Sequence, residues 1–304
     1  MPAYDVLCIG NAIVDIIASA DDDFIVGNGI IKGAMNLIDA ERAELLYGRM
    51  GPATEASGGS AGNTAAGVAG FGGRAAFFGK VASDQLGELY THDIRAHGVD
   101  FDTKPLAGPP PTARSMIFVT PDGERSMNTY LGACVELGPE DVEPAKTDAK
   151  VTYFEGYLWD PPRAKEAIRL AARLTHEAGG EVAMTLSDPF CVDRYRDEFL
   201  DLMRSGTVDI VFANQHELIS LYQTPSFETA LKAIRKDCKL AAVTRSAAGS
   251  IIVSGGRTAS VEAMKVGRVV DTTGAGDIDA AGFLYGYTAG LSHTLCGRLG
   301  SLAA

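Results

Sequence analysis

Within Asp271-Thr272-Thr273-Gly274-Ala275-Gly276-Asp277, two glycines precede a carboxylate. There a β-branched run, Val266 to Val270, gives way to an Ala/Leu/Tyr-rich segment. The run predicts a strand and the segment after it a helix. Glycines at 274 and 276 let backbone N–H groups approach an oxyanion, and the helix N-terminus adds partial positive charge. Asp277, in about the first turn, can take a proton from a hydroxyl as that hydroxyl attacks a phosphorus. Taken alone, an acid in a first turn is most simply a complement to the helix dipole. The rest of the chain decides between the two roles.

A second glycine cluster, Gly58-Gly59-Ser60-Ala61-Gly62-Asn63, passes from a turn into a helix of small residues. Gly58 and Gly59 offer close backbone approach to a ligand, and Asn63 presents an amide one turn on. Close packing of the helix on a sheet explains the small residues equally well. Asn11 and Asp15 are four apart in the β-rich stretch Gly10 to Ile17, so in a strand they share a face. Asp15 needs a partner if buried, or faces solvent if the strand is an edge. Asn214 and Glu217 follow a predicted strand. Neither glycine cluster, nor Gly10, fits the GxGxxG dinucleotide pattern at a first strand–helix turn. Histidines 92, 97, 176, 216 and 293 show no metal-ligand spacing.

These residues must be positioned by the elements around them. Residues 5–10 predict a buried strand, 75–81 another, and Asp84 opens a helix to about His97. From 139 onward strands and helices alternate: strand 151–155, helix 163–178, strand 181–185, helix 194–204, strand 208–212. Helices 216–221 and 228–237, strand 240–244 and the hairpin-like runs 250–254 and 258–263 follow, with a last helix from Leu291 to Ala304. Such alternation implies a parallel sheet covered on both faces, with ligands beyond its carboxyl edge. Residues 12–38 and 105–131 fall outside this rhythm. They predict four short strands, two of them joined by the turn Pro121-Asp122-Gly123-Glu124. We read them as one small sheet, a lid in two inserts over a core of 1–11, 39–104 and 132–304.

A chain of 304 residues can bury a large core. Its net charge of −12 argues against a nucleic-acid or anionic-membrane surface, though not against a local phosphate site built from backbone N–H groups. Five scattered cysteines without a CxxC suit reduced thiols. With no basic leader and no run long enough to span a membrane, a cytoplasmic protein is expected.

Together these residues resemble the ribokinase-like (PfkB) family of carbohydrate and nucleoside kinases over nearly the whole chain. Residues 271–277 are similar to its D-T-x-G-A-G-D signature, 58–63 to its N-terminal glycine motif, and 214–217 to its N-x-x-E motif. Gly10-Asn11 with Asp15, and Thr185-Leu186-Ser187-Asp188-Pro189-Phe190, look closer to its adenosine kinases than to its sugar kinases. The resemblance implies a three-layer α/β/α core with a mainly parallel sheet plus a β-sheet lid. It implies Asp277 as general base on a 5′-hydroxyl, with the backbone of Gly274, Ala275 and Gly276 as anion hole. Asp15 would bind the ribose hydroxyls, helped by Asn11, Asn63 and the backbone at Gly58–Gly59. Ile13, Met127 and Thr129 would line a base pocket, and Arg125 would offset phosphate charge. Asn214 and Glu217 would organise Mg²⁺ through water, and Thr244 and Gly249 would belong to the nucleotide loop. ATP and Mg²⁺ are the implied cofactors, with room for a monovalent cation, and the lid allows either a monomer or a lid-mediated homodimer.

Three departures accompany the resemblance. Asp279 stands where the family carries an apolar residue, and Ser246 replaces the first glycine of its T-x-G-x-x-G loop. The family's chain also continues past the position of Ala304 with a further strand and helix near the ATP adenine. The expected function is ATP-dependent phosphorylation of adenosine. The rivals are a ribose- or fructose-type kinase and a nucleoside-binding protein without turnover.

Overall fold

The computed structural model of the chain describes residues 2–264 and 274–304. The strand expected at 266–270 and the motif residues Asp271, Thr272 and Thr273 lie outside the described residues. The strands in chain order are β1 (Tyr4–Ile9), β2 (Ile13–Ser19), β3 (Met35–Leu37), β4 (Ala53–Gly58), β5 (Ala75–Phe78), β6 (Val99–Asp100) and β7 (Ala113–Val119). They continue with β8 (Arg125–Tyr130), β9 (Ala149–Glu155), β10 (Glu181–Thr185), β11 (Ile210–Asn214), β12 (Leu240–Thr244), β13 (Ser250–Ser254) and β14 (Arg257–Val261). The helices are α1 (Asp22–Gly27), α2 (Ala40–Tyr47), α3 (Ser60–Gly70), α4 (Gln85–Ala96) and α5 (Pro162–Glu177). After them come α6 (Pro189–Arg204), α7 (Gln215–Leu221), α8 (Phe227–Asp237), α9 (Ala275–Thr288) and α10 (His293–Ala303).

Among the described residues a nine-stranded sheet runs β14-β13-β12-β11-β10-β9-β1-β5-β6. It is parallel from β6 to β12, and the β13–β14 hairpin closes it antiparallel. Its central strands read as unbroken apolar runs because both faces are covered. In β1, Leu7 and Ile9 pack into the layer of α5, α6, α7 and α8, while Val6 and Cys8 pack into the layer of α3, α4, α9 and α10. Each fully buried Leu, Ile or Phe of these layers contributes roughly 1.5–3 kcal/mol.

The second sheet, β3-β8-β7-β2-β4, is five-stranded. Four strands were expected in it; the fifth, β4, pairs antiparallel with β2. Its sequence, Ala-Thr-Glu-Ala-Ser-Gly, has one β-branched residue and no aromatic to signal a strand, and it forms by pairing rather than propensity. One face of this sheet packs Met116 and Phe118 against Ile25 of α1 and Ala43 and Leu46 of α2. The opposite face carries Asp15, Ser115 and Thr129, brought level by the β2–β7 and β7–β8 registers. Helix α6 begins at Pro189, ahead of the expected Arg194, because the Asp188 side chain caps it; non-helical torsions at Tyr195 mark a kink inside it. Among the described residues no helix is long and apolar enough to cross a membrane.

Candidate active site

Strands β1, β9, β10, β11 and β12 all end at one edge of the large sheet, where the small sheet faces them across a cleft of about 1850 Å³. The turn into α9, the start of α3 and the loop after β12 complete its walls. Most of the residues singled out in the sequence converge there: Asn11, Ile13, Asp15, Gly59, Asn63, Met127, Thr129, Asn214, Glu217, Thr244, Gly249 and Gly274 to Asp277. Gly58 and Arg125 lie outside its lining.

At one end, Gly274 takes a left-handed conformation (φ 73°) and starts α9 without any side-chain cap. The first-turn N–H groups of Ala275, Gly276 and Asp277 therefore have no intrahelical acceptor and are available to an anion. Helix α3 approaches this turn from the side. The Ser60 hydroxyl donates to Asp277 Oδ1 at 2.7 Å, the Asn63 amide donates to Oδ2 at 3.0 Å, and Thr64 Oγ1 donates to the Asp277 carbonyl at 3.2 Å. Burial pushes the Asp277 carboxyl above the usual range, and the Ser60 and Asn63 hydrogen bonds oppose that push. Asp277 is thus a held carboxylate beside an anion-ready backbone turn, able to accept a proton from a hydroxyl placed between them.

Asp15 projects from β2 toward the same space. Burial raises its carboxyl to about 7; Arg125 pulls it down, and Asp277 adds to the rise. Gly58 is needed beneath it, since a Cβ there would sit 2.5 Å from Asp15 Oδ2. At Gly59 (φ 87°) a Cβ would meet the Asn11 carbonyl oxygen at 2.1 Å. Arg125 shares the β8 face of Met127 and Thr129, and its charge reaches Asp15. The Asn11 amide is directed at Glu155, donating to Oε1 at 2.6 Å, while its backbone N–H donates to the same oxygen at 3.0 Å. Glu155 Oε2 accepts from Ala61 N–H at 2.8 Å, so this buried acid ties the end of β9 to β1 and α3. Burial raises Glu155 to about 7. Nothing in the sequence marked it, because a single Glu at a strand end has no periodic or motif signature.

Another part of the wall is acidic. Asn214 and Glu217 form a reciprocal cap on α7: Asn214 Oδ1 accepts from the N–H groups of His216 and Glu217, and the Glu217 carboxylate accepts from the Asn214 backbone and amide. Burial raises Glu217 to about 7, and Asp188 adds to the rise. Asp188 and Glu217 together suit a divalent ion held mainly by phosphates and water; no group of three or more acidic, His or Cys ligands forms among the described residues. After β12, Ser246 has φ 49°, a left-handed conformation that explains why a glycine is favoured there. Gly249 cannot be replaced without a clash, since a Cβ would lie 2.0 Å from the Val261 carbonyl oxygen. Asp279 lines the cleft at 8% exposure, and burial alone raises it to about 7. It has no hydrogen bond or ion pair among the described residues, and its carboxylate fits only because Gly300 of α10 lies opposite.

A further part of the lining is apolar. Ile13, Met127, Met35 and Leu37 line it together with Phe190, which is 81% exposed, and Met35 and Leu37 are themselves 44% and 52% exposed. Met35, Leu37 and Phe190 were not foreseen as lining residues, although Phe190 lay inside the stretch 185–190 noted above.

The profile of the pfkB family carbohydrate kinases matches residues 5–304. A structure titled adenosine kinase, from Sinorhizobium meliloti, is 72% identical and superposes with a TM-score of 0.93 over 99% of this chain and 92% of that one. A probable sugar kinase from Rhizobium etli CFN 42 is 69% identical with a TM-score of 0.94, over 100% of this chain and 92% of that one. The aminoimidazole riboside kinase of Salmonella typhimurium is 30% identical over 75% of this chain and 72% of its own length.

Proposed function

Because the chain belongs to the pfkB family of carbohydrate kinases and is a phosphotransferase acting on a hydroxyl group, we propose that its acceptor is a nucleoside. The reading is adenosine, phosphorylated at the 5′-hydroxyl with ATP as donor and Mg²⁺ as the metal. The observation that carries it is the apolar stretch of the cleft, where exposed Phe190, Leu37 and Met35 stand beside Ile13 and Met127. A flat purine gives those side chains something to cover, whereas a free sugar leaves them in water. The adenosine kinase of Sinorhizobium, at 72% identity, supports the same choice.

In this reading Asp15, seated on Gly58, accepts the ribose hydroxyl protons, since one carboxylate takes two such donors. Asp277 receives the 5′-hydroxyl proton as the new O–P bond forms and the bond from the γ-phosphorus to the bridging oxygen of the donor breaks. The first-turn N–H groups of α9 stabilise the transferring group's charge, where positioning and electrostatics supply most of the rate. Asn214, Glu217 and Asp188 would hold Mg²⁺ through water, and the ion, when bound, neutralises phosphate charge. Thr244 and Gly249 border the donor.

The test is a substrate panel of adenosine, other nucleosides, ribose and fructose under ATP with Mg²⁺, following ADP and product. Adenosine should give AMP. The second reading, a sugar kinase, is favoured by the Rhizobium relative's name; phosphorylation of ribose or fructose with adenosine untouched would establish it and sink the first.

A further inference from the structure

The two oxygens of Asp277 are not equivalent. Oδ1 is held by Ser60 at 2.7 Å, on the α3 side. Oδ2 is held by the Asn63 amide at 3.0 Å and faces the Gly274 turn, where a Cβ built on Gly274 would lie 3.8 Å from both that oxygen and the amide nitrogen. Resting on the phosphotransfer reading above, we propose that Ser60 is a positioning residue that anchors Oδ1 and so dedicates Oδ2 to the acceptor proton.

Free rotation of a carboxylate would present either oxygen to the anion turn and weaken the lone-pair alignment that proton transfer needs. A hydroxyl donating from the first residue of α3 removes that freedom without adding a charge. It also favours the ionised form, which burial disfavours. Other groups facing Asp277 push the opposite way. Asp15 on β2 and Glu155 and Tyr153 on β9 are each coupled to its charge, Asp279 follows on its own helix, and Cys8 on β1 is buried beyond Glu155. From α10, Arg298 is exposed, and His293 stacks on Tyr287 at the far end of α9. Among the described residues, Ser60 and Asn63 are the hydrogen-bond donors that favour its ionised form.

The experiment compares wild type, Ser60→Ala and Ser60→Thr in the full chain, with adenosine, ATP and Mg²⁺ from about pH 5 to 9. A base works only when ionised, so losing a donor to its charged form moves the acid limb of kcat to higher pH. One hydrogen bond to a carboxylate predicts a displacement of about one to two pH units in Ser60→Ala, with the limb returning in Ser60→Thr. A parallel ¹³C titration of the Asp277 carboxyl, identified by its loss in Asp277→Asn, should show the same displacement without any turnover. An unmoved limb and an unmoved carboxyl titration in Ser60→Ala overturn the proposal. Failure of the acceptor reading looks different: wild type makes no AMP, while the carboxyl titration still reports on Ser60.

Discussion

Replacing Asp277 by Asn keeps its shape and removes its basicity. Turnover should fall about 10²–10⁴-fold while adenosine affinity stays close to wild type, as measured by steady-state kinetics beside calorimetric binding. Asp15→Ala should divide the other way, with the larger effect on acceptor affinity, because its carboxylate sits over Gly58 on the small sheet. Asp279 calls for a stability measurement. It is buried without a partner among the described residues, so Asp279→Asn should raise stability by about 1–3 kcal/mol at pH 8 and little at pH 5, where the wild-type carboxyl is already protonated. A denaturant midpoint unchanged at pH 8 would show that the carboxylate is satisfied. At this scale Asp277 could be found in the sequence because it follows a glycine turn, and Asp15 because it is an acid in an apolar run sharing a face with Asn11. Glu155 could not, since its role comes from Asn11 and Ala61, distant in sequence and joined only by the fold.

The elements repeat the pattern. Continuous apolar runs marked the central strands, and the Asp84 cap marked α4. Strand β4 escaped because polar and small residues form it only when β2 supplies the ladder. The loop after β12 holds a residue in a conformation that suits glycine, so Ser246→Gly should stabilise the protein by about 0.5–1 kcal/mol, read from thermal melts. Gly58→Ala should do the reverse at the site: its Cβ would drive the Asp15 carboxylate from its seat and raise the acceptor KM at least about tenfold, the scale of one lost charged hydrogen bond.

Across the whole molecule, Asp15, Glu155, Glu217 and Asp279 are each raised to about 7 by burial. Their folded forms hold protons that the unfolded chain releases near pH 4, so their contribution to stability is full below about pH 4 and fades as pH rises through about 7. Asp5, Asp93 and Asp100 are lowered and act oppositely, losing their contribution in acid. Without ligands the melting temperature should peak between about pH 4 and 6 and decline toward pH 8. Adding Mg²⁺ with nucleotide should move that peak upward by binding the ionised carboxylates; a flat profile from pH 5 to 8.5 would contradict the burial of these acids. The three-layer frame was readable from strand–helix alternation, whereas the concentration of acids in one cleft depends on how the two sheets meet. One adjacency in that meeting reaches into enzymology. Gly58 seats Asp15, proposed to read the sugar, Ser60 grips Asp277, proposed to take its proton, and only Gly59 separates them. A poorly fitting acceptor that displaces the first is felt two residues later at the second. Discrimination among acceptors should therefore show in kcat as well as in KM, with the penalty for a wrong sugar multiplied across both.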